Sequence, residues 1–218
     1  MEITELNPKI VWKYFHEITQ VPRPSKKEGK IIAYLEKFAK EHGIEYKKDH
    51  VGNIVMSKPA TPGYEDRVKL ILQSHVDMVC EKNAGTEHDF DNDPIRTIVD
   101  GEWLHADGTT LGADNGIGCA AQLAILASDD IEHGPIEALF TIDEETGMTG
   151  AFELRPGFLT GKILINLDSE DEGELFIGCA GGKGIVATFT PEYQEAPQGL
   201  TWLRASVSGL KGGHSGGE

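Results

Sequence analysis

The sequence predicts an α/β fold, a mixed and largely parallel sheet flanked by helices, and three observations carry that reading. Short apolar runs alternate along the chain with stretches of helical period. The runs at 68–72, 136–142 and 163–167 are almost continuously apolar, the pattern of strands buried on both faces of a parallel sheet. Each run stops at a polar edge: His75 and Asp77 after the first, Asp143-Glu144-Glu145 after the second, Asp168 after the third. In open α/β sheets ligand chemistry collects just beyond the carboxyl ends of the strands.

Asn7-Pro8 has the form of an N-cap followed by proline at the first helical position. Ile10, Val11, Tyr14, Phe15 and Ile18 then keep a helical period until Val21-Pro22-Arg23-Pro24 ends it. Ser25-Lys26-Lys27-Glu28 matches a capping box, and Ile31, Ile32, Leu35, Phe38 and Ala39 form the apolar face of a second helix that Gly43 is placed to stop. Two short strands are expected at 44–47 and 53–57, joined by a turn near Val51-Gly52-Asn53. Residues 81–94 are acidic and aperiodic and read as a surface loop, and Asp100-Gly101 between 97–99 and 103–105 signals a hairpin. The glycine-rich stretch from Leu111 to Gly118 opens into a small-residue helix, Cys119 to Ala127. It has no G-x-G-x-x-G and no Gly-Lys-Ser/Thr, so it is not read as a phosphate cradle. From about Gly182 the character changes: 185–190 and 203–207 read as strands of a sheet with one solvated face.

Acidic side chains number 36 against 20 basic, a formal net charge of −16 over 218 residues. That surface repels phosphate backbones and anionic lipid, which argues against nucleic-acid or membrane partners. The start, MEITELNPK, lacks the features of a signal peptide, and no apolar stretch approaches the roughly 20 residues of a membrane span. Cys80, Cys119 and Cys179 are odd in number and widely spaced, and read as reduced thiols of a cytoplasmic protein.

His75, Asp114, Glu145 and Asp168 sit at the ends of different elements and together offer one imidazole and three carboxylates. Mixed N/O donors suit zinc, with manganese or cobalt as alternatives. One shared aspartate would bridge two divalent cations roughly 3.5–4 Å apart. Asp77, two residues from His75 on an extended chain, would accept a hydrogen bond from it and fix its tautomer. Glu144, beside a ligand but pointing elsewhere, would be the general base for a metal-activated water. Taken singly, the His-Asp pair reads as a hydrogen-bonded histidine at a sheet edge and the Glu-Glu pair as a solvated turn. Their shared position at strand ends favours a site.

The segments His75-Val76-Asp77-Met78-Val79, Gly112-Ala113-Asp114-Asn115-Gly116, Asp143-Glu144-Glu145-Thr146-Gly147, Asn166-Leu167-Asp168 and Gly212-Gly213-His214-Ser215-Gly216 resemble successive motifs of one metallopeptidase family. That family contains aminoacylases, glutamate carboxypeptidases and cytosolic dipeptidases, and residues 75–82 and 111–118 are most like its dipeptidases. The resemblance implies a zinc-peptidase-like catalytic domain, with its N-terminal portion at 1–183, and the start of an inserted α+β lid and dimerisation domain at 184–218. It implies His75 and Asp168 on one zinc, Glu145 on a second and Asp114 between them. Asp77 would orient His75, Glu144 would be the catalytic base, and His214 would bind substrate and polarise its carbonyl. Two zinc ions per full-length subunit, a dipeptide substrate and a homodimer are implied with it. The family's second metal also takes a histidine from beyond the lid. His16, His42, His50, His88, His105 and His133 read as surface or packing residues, so the resemblance implies weak or single metal occupancy and little activity for these 218 residues. Competing readings are a deacylase or carboxypeptidase on the same scaffold and a non-catalytic metal-binding module. Retention of Glu144 argues against the last.

Overall fold

A computed structural model describes residues 2–209 apart from 170, 172, 180 and 182–184. The chain divides into two compact units, Met1–Gly173 and Glu174–Glu218. The first unit runs α1 (Lys9–Thr19), α2 (Gly29–Glu41), β1 (Glu45–Lys48), β2 (Ile54–Lys58), β3 (Leu70–His75), β4 (Thr97–Asp100), β5 (Trp103–Ala106), α3 (Ala113–Ala127), β6 (Ile136–Thr141), α4 (Glu144–Gly147), α5 (Thr149–Phe152) and β7 (Ile163–Asn166).

Five strands form one sheet in the order β1-β2-β6-β3-β7, and β4 and β5 pair as the separate antiparallel hairpin the sequence predicts. The β1–β2 and β2–β6 pairs are antiparallel, while β6–β3 and β3–β7 are parallel, so only β2 runs against the rest. Register decides where the chemistry gathers. His75 lies opposite Thr141, and Gln73 opposite Asn166, so β3, β6 and β7 reach their carboxyl ends at nearly one level.

Alternation along the strands sorts the core into two faces. Ile54, Met56, Ala138 and Phe140 join Phe15, Ile18, Ile31, Leu35, Phe38 and Leu123 in the main core under α1, α2 and α3. Val55, Ile71 and Leu139 face the other way, where Leu154, Phe158 and Leu159 cover them. The three long helices therefore share one face, and the loop after α5 closes part of the other.

Three sequence expectations change in the first unit. Pro8 rather than Asn7 takes the N-cap, because an extended proline (φ −72, ψ 127) presents its carbonyl to the Val11 and Trp12 amides and the helix begins at Lys9. The expected capping box does not form: α2 starts at Gly29, and Ser25 and Glu28 turn toward Asp77 and Asp143. The strand at 163–166 is not buried on both faces. β7 pairs only with β3, and Ile163, Leu164 and Ile165 are 47, 49 and 39 % exposed.

In the second unit the described residues hold no strand, against the expectation at 185–190 and 203–207. Ile185, Val186, Phe189, Leu203 and Val207 are exposed. An apolar alternation forms a strand only where a neighbour supplies the ladder, and none does so among the described residues. His214 lies outside the described residues. No helix among the described residues is long and apolar enough to cross a membrane.

Candidate metal centre

The end of β3 carries the first donor. His75 is fully buried, and its Nε2 lies 2.8 Å from Asp114 Oδ1 and 3.7 Å from Asp168 Oδ2. Its Nδ1 is 3.3 Å from Asp77 Oδ1, a close ionic contact not aligned as a hydrogen bond, so this nitrogen has no aligned acceptor. The chain thus brings His75, Asp77, Asp114 and Asp168 together from β3, the start of α3 and the end of β7.

Asp77 is wholly buried and joins two parts of the site. Its Oδ1 accepts the Glu144 amide at 3.0 Å, and its Oδ2 accepts the Glu145 amide at 3.2 Å and the Ser25 hydroxyl at 2.7 Å. The turn bearing Glu144 and Glu145 is itself built by Asp143, a non-glycine residue at φ 49 whose carboxylate accepts the Thr146 and Thr149 hydroxyls. Glu28 accepts the Asp143 amide at 3.1 Å. Glu28, Asp77 and Asp143 form a buried acidic group, but each carboxylate already receives N–H or O–H donors, so they support the turn.

Asp114 is set by glycines. Gly112, at φ +71, adopts the left-handed conformation that leads into α3, and Asp114 and Asn115 leave helical geometry before the regular turns begin. Asn115 Nδ2 donates to the Leu167 carbonyl at 3.0 Å and to Asp168 Oδ1 at 2.8 Å, which leaves Asp168 Oδ2 toward His75. A Cβ at Gly118 would collide with Asn115 Oδ1, so the glycine makes room for that amide.

Charge follows from this crowding. Burial pushes His75 down, but the hydrogen bond to Asp114, the close Asp77 carboxylate and the charge of Asp168 outweigh it and raise it to about 10. Burial pushes Asp77 up, but His75, the Glu144 amide and Ser25 bring it down to about 2. The His75 contact holds Asp114 below the usual carboxylate range. Burial, then neighbouring carboxylates, hold Glu144 and Glu145 above it. Burial with the charge of Asp114 also raises Asp168, against Asn115 and His75. So many carboxyls around one imidazole call for added positive charge.

Donor atoms of His75, Asp114 and Asp168 lie within 4.8 Å of one another, as do those of His75, Glu144 and Glu145. One imidazole nitrogen with carboxylate oxygens is a chemistry suited to zinc and similar divalent ions. Surface clefts of about 420 and 570 Å³ around His42 include none of these residues.

Sequence reasoning missed Arg23, Ser25, Glu28, Asn115 and Asp143. Ser25 and Glu28 sat in a helix-start pattern that masked them. Arg23 carried one signal, a lone cation between two prolines at a helix end.

Residues 71–190 match the family described as Peptidase family M20/M25/M40. The chain belongs to this family. It is 48 % identical over 217 residues to the cytosol non-specific dipeptidase of Escherichia coli (strain K12), matching 100 % of this chain and 45 % of that protein. The solved aminoacylhistidine dipeptidase from Vibrio alginolyticus superposes with a TM-score of 0.78 at 54 % identity, over 79 % of this chain and 35 % of the other. The aminopeptidase PepT from Bacillus cereus gives a TM-score of 0.64 at 28 % identity, over 76 % and 44 %. The chain spans about half the length of the curated relative it matches along its whole length.

Proposed function

We propose that this chain carries the N-terminal part of a cytosolic metal-dependent dipeptidase of broad specificity, aminoacyl-histidine dipeptides included. The observation that carries the reading is the convergence on His75 of Asp114 and Asp168, with Glu144 and Glu145 fastened to the Asp77 carboxylate beneath it. The Escherichia coli and Vibrio relatives, named as dipeptidases, support the substrate class.

His75, Asp114 and Asp168 would hold one divalent cation, zinc by its donor chemistry, and Glu145 would hold a second with Asp114 shared. Such a cation supplies Lewis acidity, acidifying water and polarising the scissile carbonyl. Asp77 keeps the His75 ring in place from the Nδ1 side, so that Nε2 faces the centre. Glu144 is the general base: burial and neighbouring carboxylates hold it above the usual range, closer to the pH at which it must exchange protons. It takes a proton from the attacking water and passes it to the leaving amine nitrogen. His214 is assigned to substrate binding, and residues 184–218 to the start of the lid.

The test is Glu144→Gln in a form extended to the relatives' full length. Dipeptide hydrolysis should fall by about 10²–10⁴-fold while zinc binding, read by calorimetry, stays unchanged. A fully active variant would remove Glu144 from the base role. Hydrolysis of N-acyl amino acids in preference to dipeptides would move the reading to a deacylase on the same scaffold.

A further inference from the structure

Among the described residues Arg23 is the largest fully enclosed side chain, at 2 % exposure, yet no carboxylate among them forms an ion pair with it. Its guanidinium is spent on backbone. Nη1 donates to the carbonyls of Val76 at 2.9 Å and Asp77 at 2.8 Å, and Nη2 donates to the carbonyl of Gly112. Val76 and Asp77 directly follow His75, and Gly112 stands two residues before Asp114. One planar group therefore fastens the backbone behind both donors that meet at 2.8 Å.

Burying a cation is costly when no carboxylate touches it, and Asp77 and Asp114 act on this one only from beyond ion-pair distance. Packing alone would be served better by an apolar side chain of similar volume, so the position calls for a rigid fork of donors. The glycine-rich stretch fits this purpose. A Cβ at Gly112 would overlap Arg23 Nη2, and one at Gly116 would lie 2.7 Å from it. Glycines that carry no phosphate-binding pattern thus clear a channel for the guanidinium.

We propose that Arg23 is a positioning residue for the metal centre, setting the separation of His75 and Asp114 by joining the two backbone segments that present them. This rests on the metal-centre reading above. Lysine would keep the charge but not the fork, because its ammonium is a point charge on a flexible stem.

The experiment titrates cobalt(II), followed by its visible absorption, and zinc, followed by calorimetry, into the metal-stripped chain and its Arg23→Lys and Arg23→Met variants. Urea midpoints check that each is folded. Arg23→Lys should fold, bind at least about tenfold more weakly, as loss of a group supporting a ligand does, and show a shifted cobalt band. Arg23→Met should lose as much or more. Folded variants that bind within about twofold of the parent, with an unchanged cobalt spectrum, would overturn the proposal while leaving the metal centre standing. Failure of the parent chain to bind either ion would instead overturn the metal-centre reading. Unfolding of both variants, without recovery on adding cation, would make Arg23 a determinant of folding and also overturn the proposal.

Discussion

Asn53→Ala should cost about 3–7 kcal/mol of stability, because one buried amide closes the turn that carries Glu144 and Glu145. Asn53 is fully buried. Its Oδ1 accepts the Ile142 amide at 3.1 Å, and its Nδ2 donates to the Gly150 carbonyl at 2.8 Å and to Asp49 Oδ2 at 2.7 Å. Ile142 and Gly150 are the two ends of the acidic turn, which also pair directly through the Gly150 amide and the Ile142 carbonyl at 3.1 Å. Alanine strands the Ile142 N–H and the Gly150 C=O, each costing about 1–3 kcal/mol when left unpaired in the interior. The Asp49 bond adds about 1 kcal/mol net, since that carboxylate can turn to water. Against a total of about 5–15 kcal/mol for a domain, the loss is large. Urea denaturation with linear extrapolation measures it, at unchanged slope. A loss below about 1 kcal/mol would refute the account of how this turn is held.

Glu137 gives the pH prediction. Burial pushes its carboxyl up, but the Thr160 hydroxyl, the Gly161 and Thr160 amides and the Lys69 ammonium outweigh it and hold it below the usual range. Its ionised form thus stabilises the fold above the unfolded-state value of about 4.3, and that contribution fades as pH falls through the lower folded value. Thermal melts should show Glu137→Gln less stable than the parent at neutral pH, with the gap closing in acid; a gap independent of pH would contradict this. Gly118→Ala should bring a Cβ onto Asn115 Oδ1 and within 3.1 Å of Leu167 Cβ, displacing the amide that orients Asp168. Calorimetry should show weaker zinc binding, while the roughly 1 kcal/mol gain in helix propensity offsets part of the stability loss; parent-like affinity would speak against it. Buried Cys119, with its thiol pushed up to about 11, should resist iodoacetamide until the chain unfolds, whereas exposed Cys179 should react at once. Mass spectrometry of the labelled native protein reads both, and early modification of Cys119 would count against its buried place, where its Sγ donates to the His75 carbonyl at 3.1 Å.

The strand ends were legible because a buried parallel strand is a continuous apolar run, and its polar terminus stands out. His75, Glu144 and Glu145 were found that way, Asp168 by an apolar run that forms a half-exposed edge strand, and the structure gathers them with Asp114 and Asp77 at one edge of the sheet. The second helix was legible from its period, and all five apolar positions predicted for it are buried. What failed depended on partners distant in sequence. Ser25 and Glu28 fit a capping box locally, but Asp77 and Asp143, 52 and 115 residues away, recruit them. Apolar composition at 163–166 and 185–207 could not show whether anything covers it. Arg23, whose one signal was its place between two prolines, was missed for the same reason: its acceptors are backbone carbonyls 53, 54 and 89 residues on, which no side-chain pattern announces.

The central claim, that His75 anchors a cation site, is tested most directly by titrating zinc into the metal-stripped chain beside its His75→Ala variant. Binding in the micromolar range or tighter that the substitution abolishes is the predicted result. A parent chain that takes up no zinc, or a variant that binds it equally well, would contradict the account.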